Sequence, residues 1–345
     1  MTAPMTRTAL RRPRAFVVSA LAAMTVVSGC GADVESSTPR SSGEQVTVTN
    51  CGAPLTVSGV PDRAVTNDTG ITELMFALGL GDRMAGYTTY EGKERDIESS
   101  PWRADFEKTP SLGTAFSREI IAAARPDFVF AGWNYGFKES TGVTPDWVRS
   151  TGAVPYQLTE ACRQAGNTKR GVVRPLDALY ADLSNLGQIF GVSGRAATLT
   201  AGYRKQVEAA RVGAPAASAA ARVFPFDSAD PTPFTSGRNA APDQIIAEAG
   251  GRNIFGDIDD SWTSASWEAA AQRDPQVIVI VDYGAGPQNT VEAKIRQLES
   301  QPLMAQTTAV RERRYISFPY AALVEGPRNP QTITALAEYL RSQGL

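Results

Sequence analysis

Short apolar runs alternate with amphipathic stretches through most of the chain, a pattern that predicts an α/β architecture. Residues 64–67 read as a strand, 71–78 as a helix closed by Gly79, and 84–87 and 128–131 as further strands. Residues 176–190 are helical and stop at Gly191. A longer helix follows over 193–211, interrupted only by Gly202; at 1.5 Å per residue it is roughly 28 Å long, enough to brace two lobes. The Ala/Pro/Ser stretch 214–220 leads to a strand over 222–226, residues 277–282 form the clearest strand, and 329–342 make a closing helix.

The two halves echo each other. Ser117-Arg118-Glu119, an Ala-rich helix, Arg125-Pro126 and the strand Phe128-Val129-Phe130 occur in the first. Ser266-Trp267-Glu268, another Ala-rich helix, Asp274-Pro275 and the strand Val277-Ile278-Val279-Ile280 occur in the second. Each Ser suits an N-cap, and each Glu falls in the first helical turn, where an acid is favoured whatever the function. Capping does not explain why the whole series recurs in one order. Two similar α/β lobes joined by a stiff helix account for it.

The first thirty residues are of another kind. Arg7, Arg11, Arg12 and Arg14 precede an apolar run over 15–28, too short for a helix of about twenty residues that spans a bilayer. Val27-Ser28-Gly29-Cys30 then places small residues directly before a cysteine, which resembles a bacterial lipoprotein signal with Cys30 as the lipidated mature N-terminus. The expected organisation is a signal peptide over 1–29, a tether over 30–45, a first lobe over 46–175, a helical segment with the bridge over 176–213, and a second lobe over 214–345. Localisation follows as the outer face of the cell membrane, held by lipid. Cys51 and Cys162 remain, an even pair in an oxidising compartment, where a disulfide is the expectation and two buried thiols the other reading.

Composition narrows the chemistry. The 345 residues contain no histidine, which excludes Ser-His-Asp and Cys-His triads, HExxH zinc proteases and imidazole-ligated metals. Three cysteines are too few for a four-cysteine zinc or iron–sulfur site. With 34 basic and 36 acidic residues there is no cationic excess for nucleic acid. Neither GxSxG nor a P-loop is present, so the reading is a non-enzyme without cofactor or protein-held metal. A carboxylate-pair glycoside hydrolase is the distant alternative.

The layout, with these motifs in it, resembles the ABC-importer binding proteins for iron–siderophore complexes and vitamin B12. Thr72-Glu73-Leu74 with residues 77–83 and Gly86 is similar to that family's first helix and turn. Pro233-Phe234-Thr235-Ser236-Gly237-Arg238 is similar to a segment of the B12-binding member. Gly250-Gly251-Arg252-Asn253-Ile254-Phe255, then Trp262 and Ser266-Trp267-Glu268, resembles the second-lobe signature. The resemblance covers residues 46–345. It implies the class III periplasmic-binding-protein fold: two Rossmann-like lobes, one long bridging helix and a ligand cleft with little hinge motion. It also implies a monomer whose exposed Glu119 and Glu268 dock on arginines of the permease.

Ligands of open α/β lobes bind beyond the C-terminal ends of strands. That rule nominates Tyr87, Tyr90, Trp133 and Tyr135 from the first lobe, and Phe234, Arg238, Trp262, Tyr283 and Tyr320 from the second. An aromatic cleft of this kind suits a bulky chelate, with Arg238 as the partner of an anionic group. The expected ligand is a ferric siderophore whose iron is held by the chelator. A corrinoid such as cobalamin is the alternative, and another bulky cofactor precursor comes third.

Overall fold

In the computed structural model the described residues are 44–345 apart from 91–93, 215 and 285. The expected export segment with Cys30, and the expected tether up to residue 43, lie outside them.

Continuous apolar runs make the central strands of both lobes, because a parallel sheet is covered by helices on both faces. In the first lobe β3 (Ala64–Asn67), β4 (Met84–Thr88), β5 (Phe128–Trp133) and β7 (Val154–Gln157) are parallel in the order β4-β3-β5-β7, with the short β6 (Gly136–Phe137) beside β5. In the second, β8 (Ala221–Ala229) pairs in parallel with β12 (Val277–Asp282), and β12 with β13 (Tyr315–Pro319). The other edge of β8 is shared. Its first half takes the parallel β10 (Gly251–Asn253) and its second half the antiparallel β9 (Pro233–Ser236), which carries β11 (Trp262–Ser264).

The internal echo is structural. Ser117 caps the Arg118–Ala124 helix by accepting from the Ile120 amide, and Ser266 caps Trp267–Gln272 by accepting from the Ala269 amide. Both helices leave through a left-handed residue before proline, Arg125 at φ 47° and Asp274 at φ 40°. The acids near these corners hold backbone. Asp127 accepts from the Asp62 and Arg63 amides, and Asp274 from the Thr308 amide and the Arg222 guanidinium.

The expected long helix runs from Ser193 to Ala210 straight through Gly202. At its start Arg195 Nε donates to the Ala77 carbonyl of the first lobe at 2.8 Å; past its end Arg211 pairs with Glu248 of the second. It packs beside the helix Pro175–Ile189, so the lobes are joined by a helical pair rather than by a lone rod. The Pro175–Ile189 helix is the better buried of the two and takes hold of the second lobe where the Leu176 amide donates to Gln244.

An N-terminal hairpin, β1 (Gln45–Asn50) with β2 (Ala53–Ser58), guards the open edge of β7. The Asn50 amide group donates to the Gln157 carbonyl at 2.7 Å and accepts from its N–H at 3.0 Å. Cys51 in the hairpin turn is disulfide-bonded to Cys162, as the cysteine count predicts.

Candidate ligand-binding cleft

Strand register explains how the cavity walls are built. Asp282 and Pro319 are paired at the C-terminal ends of β12 and β13, so the next residues, Tyr283 and Tyr320, stack with centroids 5.5 Å apart. On β9 and β11 Phe234 lies diagonal to Trp262 on one face, and their rings stack at 6.0 Å. Opposite them Tyr90 follows β4, while Asn134 and Tyr135 form the turn after β5. Asn134 takes the left-handed conformation that turn requires, at φ 69°. Gly132 is needed beneath it, since a Cβ there would run into the Tyr135 ring.

These six rings line a cavity of about 570 Å³ between the lobes, completed by Asn134, Arg170, Asp227 and Val324. Two of its phenols are oriented by carboxylates. Tyr283 donates to Asp227 at 2.6 Å and Tyr320 to Asp68 at 3.0 Å. Burial, then the neighbouring carboxylate, holds both phenols well above the ordinary tyrosine range, so they stay protonated. Tyr90 accepts from the Asn67 side chain, and burial raises its pKa as well. Behind Tyr283 the buried Lys294 ammonium lies 4.5 Å from the ring centroid and donates to the Val281 carbonyl. Burial brings Lys294 down to about 8.

Six nominated aromatics therefore converge on one cavity, and three nominated residues do not line it. Tyr87 points into the first-lobe core, edge-on to Phe106, because alternation along β4 turns it to the packed face. Trp133 is half-buried under the Arg163 guanidinium, 4.7 Å from its ring. Arg238 is exposed and is occupied by the Asp257 carbonyl and the Asp259 carboxylate, which removes it from the role of cleft cation. Of the residues missed, Asp227 had a signal, being an acid at the C-terminal end of an apolar strand. Arg170 had none, since it sits in a polar loop whose path only the tertiary fold fixes.

Glu119 and Glu268 are both exposed in the first turns of matching helices. The Ser117 hydroxyl holds the Glu119 carboxyl below the usual range. Among the described residues no cluster of three or more His, Cys, Asp or Glu could hold a metal, and no helix is long and apolar enough to cross a membrane.

Two lobes joined by packed helices, with an aromatic cleft between them, define a capture protein of the class III binding-protein fold. The periplasmic binding protein family model matches residues 65–321, and the chain belongs to that family. It is 24% identical to an ABC transporter substrate-binding lipoprotein of Bacillus subtilis, over 92% of this chain and 94% of the relative. It is 28% identical to the vitamin B12-binding protein of Salmonella paratyphi A, over 63% of this chain and 71% of that protein. A crystal structure of a periplasmic binding protein from Veillonella parvula superposes with a TM-score of 0.72 at 26% identity, covering 86% of this chain and 98% of that one. The protein is thus a non-enzymatic, extracytoplasmic substrate-binding component of an ABC importer, which hands its ligand to a permease.

Proposed function

We propose that the cleft captures a corrinoid, a bulky, largely uncharged metal macrocycle fringed with amides. The observation that carries this is the make-up of the cavity: six aromatic rings, with Asp227 in the lining and Asp68 behind Tyr320. Flat rings supply contact area to a macrocycle at low entropy cost. Because Tyr283 and Tyr320 donate their protons to carboxylates, their oxygens act toward a ligand as acceptors, which suits amide N–H groups. A triply anionic ferric catecholate would meet the Asp227 carboxylate in the lining, offset there by Arg170 and, from behind Tyr283, by Lys294. The relationship to a vitamin B12-binding protein points the same way.

The ferric siderophore expected from the sequence is the second reading, restricted to neutral or cationic ferric hydroxamates, which the two carboxylates would tolerate. We further propose that Cys30 carries the lipid, that the protein acts as a monomer, and that Glu119 and Glu268 meet the permease.

Titrating the mature protein with cyanocobalamin, a ferric hydroxamate, a ferric catecholate and haemin, with tryptophan emission as readout, tests the ligand. Cobalamin should quench saturably in the wild type and lose about tenfold or more in affinity in Trp262→Ala. Saturable quenching by the ferric hydroxamate alone would replace the corrinoid reading with the siderophore one.

A further inference from the structure

The segment from Cys162 to Gly171 leaves the first lobe and fastens to the second. Its limbs are tied together, Gln164 N–H to the Lys169 carbonyl and Gly171 N–H to the Cys162 carbonyl, both at 2.8 Å. Its base is fixed by the disulfide to Cys51, and the hairpin turn that carries Cys51 is clamped on β7 through Asn50. Arg163 stays with the first lobe, over Trp133 and against Glu139, while the hydrogen bonds of Arg170 reach the second lobe. The Arg170 N–H donates to Asp260 Oδ1 at 3.1 Å, and the Arg170 guanidinium to the Trp262 carbonyl at 3.2 Å. The Arg170 carbonyl accepts from the Asn239 side chain at 3.4 Å. Gly171 lies so close to Asn239 that a Cβ would collide with it.

Arg170 therefore does two things at once. It lines the cavity, and it ties the strand that presents Trp262 to a covalently anchored strap of the opposite lobe. Its charge also faces Glu160 and Tyr135 of the first lobe. We infer that Arg170 is a specificity-determining residue of the cleft: by fixing the distance between the Phe234–Trp262 wall and the first-lobe wall, it sets which ligand thickness is accepted and how long the ligand stays. The inference rests on the cleft being the capture site. A charge-assisted hydrogen bond of this kind corresponds to a change of about tenfold or more in a rate or equilibrium.

Two measurements on the mature protein separate this inference from the capture reading. In ligand-free Arg170→Ala the amides of Gly237, Arg238 and Asn239, which bond the carbonyls of Ser261, Ile258 and Asp260, should exchange about tenfold faster than in wild type. Amides of β12 should keep their wild-type protection. In stopped flow with cyanocobalamin, dissociation should accelerate about tenfold with association within about twofold, and Arg170→Lys should restore part of the loss. Asp260→Ala, which removes the backbone tie together with the Ser261 N–H bond to the same carboxylate, should act in the same direction more weakly. Unchanged exchange in Arg170→Ala overturns the strap, and accelerated exchange with unchanged dissociation overturns its control of the ligand. If the wild type binds none of the chelates, the capture reading and the specificity role fall together, while exchange still decides whether the strap holds the wall.

Discussion

Glu160 of the first lobe and Glu325 of the second exchange hydrogen bonds in both directions: each backbone N–H donates to the other's carboxyl at 2.8 Å. The pair is buried below the cleft, and Glu160 accepts also from the Ala241 amide at 3.2 Å. Asp182 lies against Glu325 and takes hydrogen bonds from Tyr156 at 2.5 Å and from the Thr159 amide at 2.8 Å. Three carboxyls are buried here, with Arg170 facing Glu160, and they cannot all be ionised cheaply. Burial pushes Glu160 up to about 7; burial and then Asp182 hold Glu325 well above the carboxylate range.

The lobe junction should therefore weaken as pH rises. A carboxyl whose folded pKa is raised binds its proton more tightly in the fold, so its stabilisation is full below the unfolded pKa and is lost as pH climbs to the folded one. For Glu160, raised from 4.5 to about 7, the loss across that window is about 3 kcal/mol. Glu325→Gln imitates the protonated partner: its oxygen can accept from the Glu160 amide while its nitrogen donates to Asp182. Denaturant melts should show the variant close to wild type at pH 5.5 and more stable by about 1–4 kcal/mol at pH 8.5. A variant less stable than wild type at both pH values would remove the protonated Glu325 carboxyl from the account.

The disulfide closes a span of 111 residues and pins the hairpin turn and the strap together. Cys51→Ser with Cys162→Ser should cost about 2–4 kcal/mol of stability. Hydrogen exchange should rise first in 45–58 and 162–171, ahead of the central strands. Thiol alkylation of the native, unreduced mature protein at both positions would show that the bridge does not form.

Glu73 and Arg328 form a buried bidentate pair between the first-lobe helix Thr69–Ala77 and the residue that caps the closing helix, with Arg328 Nε donating to Glu73 Oε2 at 2.8 Å. Arg328 also bonds Ser99 at 3.1 Å and the Asp96 carbonyl at 2.6 Å, which locks three segments together. Burial raises the Glu73 pKa despite the arginine. Glu73→Ala strands a buried guanidinium and should cost about 3–5 kcal/mol. Glu73→Ala combined with Arg328→Met should recover part of that in a double-mutant cycle, and strict additivity would argue against the pair.

Much of this was legible from local pattern. The strands Ala64–Asn67 and Val277–Asp282 and the helix Asn329–Ser342 match the spans read from the sequence to the residue. Six cleft aromatics could be nominated because strand ends announce themselves. What the pattern does not carry is direction and partnership. Tyr87 occupies a strand end like Tyr90, yet alternation turns it inward. Arg238 stands in a loop that looks like a ligand loop, and Asp259, distant in sequence until the chain folds, takes its charge. The edge strands β7 and β13, Pro-containing and short, give no periodic signal. Arg170, Glu160 and Glu325 acquire their roles only when the lobes meet.

Glu119 and Glu268 allow the docking proposal to be separated from ligand capture. Both acids are exposed, each stands two residues after a capping serine, and each helix leads into a central strand of its own lobe, β5 or β12. Neither lines the cavity. Carboxylates so placed give registry with a cationic partner more than raw affinity, and their effect fades with salt. The double replacement Glu119→Ala/Glu268→Ala should leave tryptophan quenching by the ligand within about twofold of wild type and abolish uptake in cells that carry the cognate permease. Each single replacement should lower uptake while leaving some transport, because one lobe still docks. Charge reversal to Lys at both positions should be no better than Ala, and normal uptake by the double Ala variant would place the permease contact elsewhere on the surface.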